Sequence, residues 1–173
     1  MGNTNVYNLY AQECFPNSSI KAKEHGEIDP CEKEYVRAYL NLPEVQNALH
    51  ANTTKLPYSW GLCSSVLGSW RDRPSTVLPI YKRLIAVQVK ILVYSGDIDA
   101  VIPVTSTRYS VDALNLTTKT DWRPWFDDSL QVAGYRIDYE GLTFMTVQGA
   151  GHEMPRFQPR KAFSLVRLFL DGI

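Results

Sequence analysis

Hydrophobic and polar positions follow two different rhythms along this chain, and the change falls near residue 74. Beyond it, Val77, Ile80, Tyr81, Leu84 and Ile85 recur at i, i+3, i+4 spacing, which predicts an amphipathic helix. Residues 89–94 then form a nearly continuous apolar run, the pattern of a strand buried on both faces. Pro103 opens a further predicted helix carrying Tyr109 and Leu114, and residues 142–147 predict the next strand. Pro159 starts a final helix on which Leu165, Leu168 and Phe169 share a face, with Gly172 as its terminator. Helix, strand, helix, strand, helix predicts the α/β class with a parallel sheet and flanking helices.

The region before residue 74 reads differently. From Cys31 to about Arg73 it is helical and loop-like. Asn41-Leu42-Pro43-Glu44 predicts a helix start, with Asn41 as N-cap, Pro43 in the first turn and Glu44 reaching back in a capping box. Val45, Ala48 and Leu49 follow as an apolar stripe, and Trp60 and Trp70 among glycines and serines predict irregular, packed connections. The organisation expected is a helical region over residues 1–73, with a polar linker around 15–29, and an α/β core over residues 74–173.

Composition excludes several classes of partner. Hydrophobic residues make up 45% and aromatics 12%, enough to build a core. Basic and acidic residues balance at 18 each, so no basic face points to nucleic acid and no polybasic run to a membrane surface. No apolar run approaches the roughly 20 residues of a membrane helix. Met1-Gly2-Asn3-Thr4-Asn5-Val6 has neither the basic nor the apolar part of a signal peptide. A Met start on an otherwise secretory-looking sequence is therefore read as a truncated gene model or an expressed fragment.

Two features carry the secretory reading. N-x-S/T sequons begin at Asn17, Asn52 and Asn115, candidate glycosylation sites. The 3 cysteines, Cys14, Cys31 and Cys63, are an odd number, which in a secreted protein implies a partner elsewhere. Cys14 and Cys31 flank a polar segment that a local bridge could span, leaving Cys63 for a cysteine outside the chain. The competing reading is three reduced thiols in a cytosolic protein. His25 and His50 show no metal-ligand spacing, so neither a zinc site nor any cofactor is expected.

The candidate chemistry sits where the two predicted strands end. Gly96-Asp97-Ile98-Asp99-Ala100-Val101-Ile102-Pro103 closes the first, and Gly149-Ala150-Gly151-His152-Glu153-Met154-Pro155 closes the second. An acid and then a histidine at successive strand ends is how α/β-hydrolases present two members of a Ser-Asp-His triad. No G-x-S-x-G elbow stands upstream, so the nucleophile is expected on another chain or on missing sequence. Asp99, further into its turn, is favoured as the triad acid over Asp97, which is expected to brace the turn through its own backbone. The alternative is that both acids merely shape the turn or cap the following helix. In the triad reading His152 takes the serine proton and returns it to the leaving group, while Asp99 fixes its tautomer.

These blocks resemble the C-terminal portion of plant serine carboxypeptidases. The resemblance runs through Pro30-Cys31 to His50-Ala51-Asn52, through Val93-Tyr94-Ser95-Gly96-Asp97-Ile98-Asp99 to Arg108-Tyr109, and through Tyr139-Glu140-Gly141-Leu142 to Met154-Pro155, beginning near Val6-Tyr7-Asn8-Leu9-Tyr10. It implies the α/β-hydrolase fold, preceded by part of a helical insertion. It also implies removal of C-terminal residues from peptides, with Asp99 and His152 in the triad and Glu153 and Ile102 against the substrate. Some members of the family are cut into two disulfide-linked chains in the segment matching 15–29. The resemblance then implies a local Cys14–Cys31 bridge and a Cys63 bridge to the missing serine-bearing portion, in an extracellular or vacuolar protein. Met154, Arg156 and Phe157 depart from the family's commoner residues and bear on substrate preference. Relatives that became acyltransferases or a hydroxynitrile lyase remain as alternatives, as does an inactive, truncated product. The Ala100-Val101-Ile102 tail looks more like the peptidase branch.

Overall fold

The computed structural model describes residues 5–12, 14, 29–66 and 68–172, which fall into two compact units. One comprises Met1–Ala11 and Pro74–Ile173, and the other Gln12–Arg73. Residues 5–11 therefore belong with the α/β core and not with the helical region in which residues 1–73 were expected to stand together. Most of the expected linker at 15–29, and Asn17 with it, lies outside the described residues.

The first unit is built on a four-stranded sheet, β1 (Ile91–Gly96), β2 (Thr118–Phe126), β3 (Val132–Tyr139) and β4 (Leu142–Val147), in the order β1-β4-β3-β2. β1 and β4 are parallel, with Ile91 opposite Leu142 and Gly96 opposite Val147. The β3 pairings with β4 and with β2 are antiparallel. The expectation of a parallel sheet is thus corrected to a mixed one. The missing strands were hard to read because β2, Thr118-Lys119-Thr120-Asp121-Trp122-Arg123-Pro124-Trp125-Phe126, is polar and carries a proline. As the terminal strand of the sheet it can tolerate that proline, since one side of it needs no ladder donors. Asp127 closes the β2–β3 turn by accepting from Ser129 N, Ser129 Oγ and Gln131 N.

Period-2 alternation sends β4 into two apolar cores. Met145 and Val147 join Trp125, Ala133, Ala150, Met154, Ala162 and Leu165 on one face, under α5 (Met154–Phe157) and α6 (Pro159–Asp171). Leu142 and Phe144 join Val111 and Leu114 on the other, with Leu78, Tyr81 and Ile85 of α3 (Leu78–Ala86) and Val104 of α4 (Val104–Asp112). It is β4, not β1, that is buried on both faces. β1 stands at the other end of the sheet order, and its Ile91, Leu92 and Val93 are only half-buried. α3 and α6 form where the periodicity placed them, and Gly172 ends α6 in the left-handed conformation.

The second unit contains α1 (Glu32–Leu40) and α2 (Pro43–Ala48), with a disulfide joining Cys14 to Cys31. Asn41 is not the N-cap of α2. That position is Leu42, with no side-chain cap bond, so the expected capping box with Glu44 does not form. The Asn41 amide is engaged elsewhere: Nδ2 donates to Arg37 O and Trp60 O, and Oδ1 accepts from Trp60 N. The stripe expected at Val45, Ala48 and Leu49 is half-buried at Val45 and exposed at the other two.

Candidate active site

β1 ends at Gly96, and the chain turns through 97–103 into α4; β4 ends at Val147 and turns through 148–153 into α5. Because β1 and β4 are parallel neighbours, their carboxyl ends lie side by side. The turns approach so closely that a Cβ on Gly96 would stand 2.1 Å from Ala150 O, which requires glycine there. Ile98 N donates to Ala150 O at 3.1 Å, tying the turns together through the backbone.

That contact brings Asp99 to His152. Asp99 Oδ2 lies 2.9 Å from His152 Nδ1. Its other oxygen accepts from Val101 N at 2.8 Å and Ile102 N at 3.1 Å, so the carboxylate is held from both sides. The Asp99 side chain is 7% exposed and that of His152 is 37% exposed. An ionised Asp99 accepts only, so Nδ1 carries the proton and Nε2 is left as the basic nitrogen. An acid–histidine pair in this state can take a proton from a hydroxyl placed against Nε2 and later return it. Among the described residues, the His152 ring touches Asp99 and the Tyr7 ring, and no serine hydroxyl bonds to it.

Asp97 does not act as expected. Its Oδ1 reaches across to accept from Gly149 N at 2.7 Å, bracing the histidine turn and not its own. Glu153 follows His152 and accepts from Arg156 Nη1 at 2.5 Å. Ile102 is exposed beside the acid turn. Cys63 is an exposed residue of the second unit, and the sequon residues Asn52 and Asn115 are exposed as well. No group of three or more His, Cys, Asp or Glu among the described residues could hold a metal ion. No described helix is long and apolar enough to cross a membrane.

Sequence reasoning missed the segment 6–9. Ala100 N donates to Val6 O, Leu9 N to Ile98 O, and His152 N to Tyr7 O at 2.7 Å, so this segment bonds to both turns. The Tyr7 ring meets the imidazole edge-on, with centroids 5.5 Å apart. Its one sequence signal was that the family resemblance begins there; no periodicity marks it.

The fold is that of an α/β-hydrolase. A crystal structure of Kex1Δp, a prohormone-processing carboxypeptidase from Saccharomyces cerevisiae, superposes with a TM-score of 0.73 at 19% identity, covering 98% of this chain and 36% of that one. The family model of serine carboxypeptidases matches residues 1–172. The chain is 51% identical over 171 residues to serine carboxypeptidase-like 40 of Arabidopsis thaliana, covering 96% of this chain and 34% of the relative. It is 52% identical over 144 residues to serine carboxypeptidase II-1 of Hordeum vulgare, covering 83% of this chain and 44% of that protein. The chain belongs to the serine carboxypeptidase family. It spans between a third and a half of the length of these relatives.

Proposed function

We propose that this chain is the acid- and base-bearing C-terminal portion of a serine-type carboxypeptidase, which removes C-terminal residues from peptides through an acyl-enzyme. The observation that carries the reading is the Asp99 Oδ2 to His152 Nδ1 contact of 2.9 Å, with the second Asp99 oxygen pinned by two backbone donors. The nucleophilic serine is supplied by sequence outside the chain. His152 Nε2 takes its proton as it attacks the scissile carbonyl, then gives that proton to the leaving amine. Asp99 keeps the imidazole in the required tautomer and stabilises the imidazolium. Glu153 and Ile102 stand beside the substrate's C-terminal residue.

The serine-bearing portion adds its strands alongside β1, the half-buried strand at the end of the sheet order. In this reading the exposed Cys63 carries the covalent link to that portion, as the family resemblance implies. The Cys14–Cys31 bridge and the exposed sequons at Asn52 and Asn115 support a secretory route, to the cell exterior or the vacuole. By itself the chain is expected to leave peptides uncut, because no serine hydroxyl among the described residues bonds to His152.

The test uses the complete protein containing these residues, assayed on a blocked dipeptide. His152→Ala is expected to lower kcat by about 10⁶-fold and Asp99→Asn by about 10⁴-fold, with folding unchanged. A His152→Ala protein that still turns over at the parent rate would sink the proposal.

A further inference from the structure

We propose that Asp97 is a positioning residue for His152, holding the peptide group of Gly149 and so setting where the histidine turn presents its imidazole to Asp99. The inference rests on the acid–histidine reading above. Asp97 and Asp99 stand two residues apart and divide the work. Asp99 touches the imidazole ring itself. Asp97 grips the backbone three residues before it, accepting from Gly149 N at 2.7 Å across 52 positions of sequence.

That peptide needs a grip. Gly149 has φ of +72°, and glycine is the residue whose backbone loses most freedom when it is fixed. Its N–H is taken by Asp97 and its carbonyl accepts from Gln158 Nε2 at 3.0 Å, so the residue is clamped at both ends. Asp97 N also donates to Val147 O at 3.2 Å, which places the carboxylate at the junction of the strand and the histidine turn. A carboxylate accepting from an N–H makes a stronger bond than a neutral acceptor, though an amide oxygen retains the geometry. Asp97 is exposed, so its removal leaves no cavity and should cost the fold little. The expected consequence is a histidine that samples wrong positions while the protein remains folded.

The experiment compares Asp97→Ala with Asp97→Asn in the complete protein, with kcat, KM and Tm measured and the His152 Nδ1–H proton followed by NMR. Asp97→Ala is expected to lower kcat by about ten- to a hundredfold, as a small misplacement of a reacting group does. KM should stay within about twofold, since substrate binding is untouched. The Nδ1–H resonance should broaden or shift. Asp97→Asn, which keeps an oxygen acceptor, should restore kcat to within about threefold of the parent and return the resonance. An Asp97→Ala protein with parental kcat and resonance overturns the proposal. So does one in which Tm falls and KM rises as kcat is lost, the mark of a merely structural role, or an Asn variant as impaired as the Ala variant. Should His152→Ala retain parental kcat, the functional reading falls, while the His152 resonance still decides whether Asp97 positions the ring.

Discussion

The two units of this chain are stabilised by different means. In the α/β unit, β4 buries Leu142 and Phe144 into one core and Met145 and Val147 into another. In the Gln12–Arg73 unit, Cys31 is the one buried hydrophobic residue among those described, while Tyr35, Tyr39, Leu49, Trp60 and Trp70 are exposed. That unit is tied at single points, among them the Cys14–Cys31 bridge, the three hydrogen bonds of the Asn41 amide and the Gln46 and Asn52 side-chain bonds. Burial scales with apolar area and tolerates small shifts, whereas a bridge or an amide clamp acts at one point. The candidate site lies on the unit with the cores, and there too its placement comes from point contacts, Asp97 with Gly149 and Asp99 with His152.

The sharpest way to break that contrast is to hollow a core. Phe144 is fully buried, and Phe144→Ala in the complete protein should cost about 3–5 kcal/mol, read as a lowered denaturant midpoint. A loss no larger than that of a surface substitution would mean the core is not what holds the α/β unit. Next comes the bridge. Replacing Cys14 and Cys31 by serine opens a loop 17 residues in sequence separation, for which chain-entropy reasoning gives about 3 kcal/mol. Hydrogen exchange should then rise across α1 and α2 and stay low in β4, and equal deprotection of both would abolish the distinction.

The smallest effect is polar and lies within the α/β unit. Asp138 accepts from Arg123, Arg136 and Thr143. Burial alone pushes its pKa up, but these bonds outweigh it and hold the carboxyl below its ordinary value of 3.8. The folded state then binds the proton less readily than the unfolded chain. The stabilisation is therefore complete above about pH 4 and is lost as the pH falls through the folded value. Asp138→Asn should cost about 1–3 kcal/mol near neutrality, and its stability curve should converge on the parent's in acid. A stability difference that stays constant on acidification would assign the effect to packing and not to charge.

Legibility followed the same division. α3, α6 and β4 could be read because burial writes a period into the sequence, 3.6 for the helices and apolar continuity for the strand. β2 and β3 escaped because their exposed faces and Pro124 dilute that period, and the β2–β3 turn rests on Asp127 side-chain bonds that composition does not reveal. The capping box at Asn41 failed for a comparable reason. The same amide could cap α2 or tie α1 to Trp60, and only the position of Trp60 decides between them.

For the site, the residues at the two strand ends announced an acid and a histidine, since small residues and turn formers bracket both. The preference for Asp99 over Asp97 also came from position within the turn, and the structure brings Asp99 to the imidazole. What sequence alone determined about this protein is whatever local periodicity and turn chemistry encode: α2, α3, α4 and α6, the central strand and the candidate pair. The mixed sheet, the reach of Asp97 to Gly149 and the bonding of residues 6–9 to both turns were decided only in three dimensions. Each joins groups far apart in the chain, and no local pattern records which distant backbone donor a carboxylate will meet.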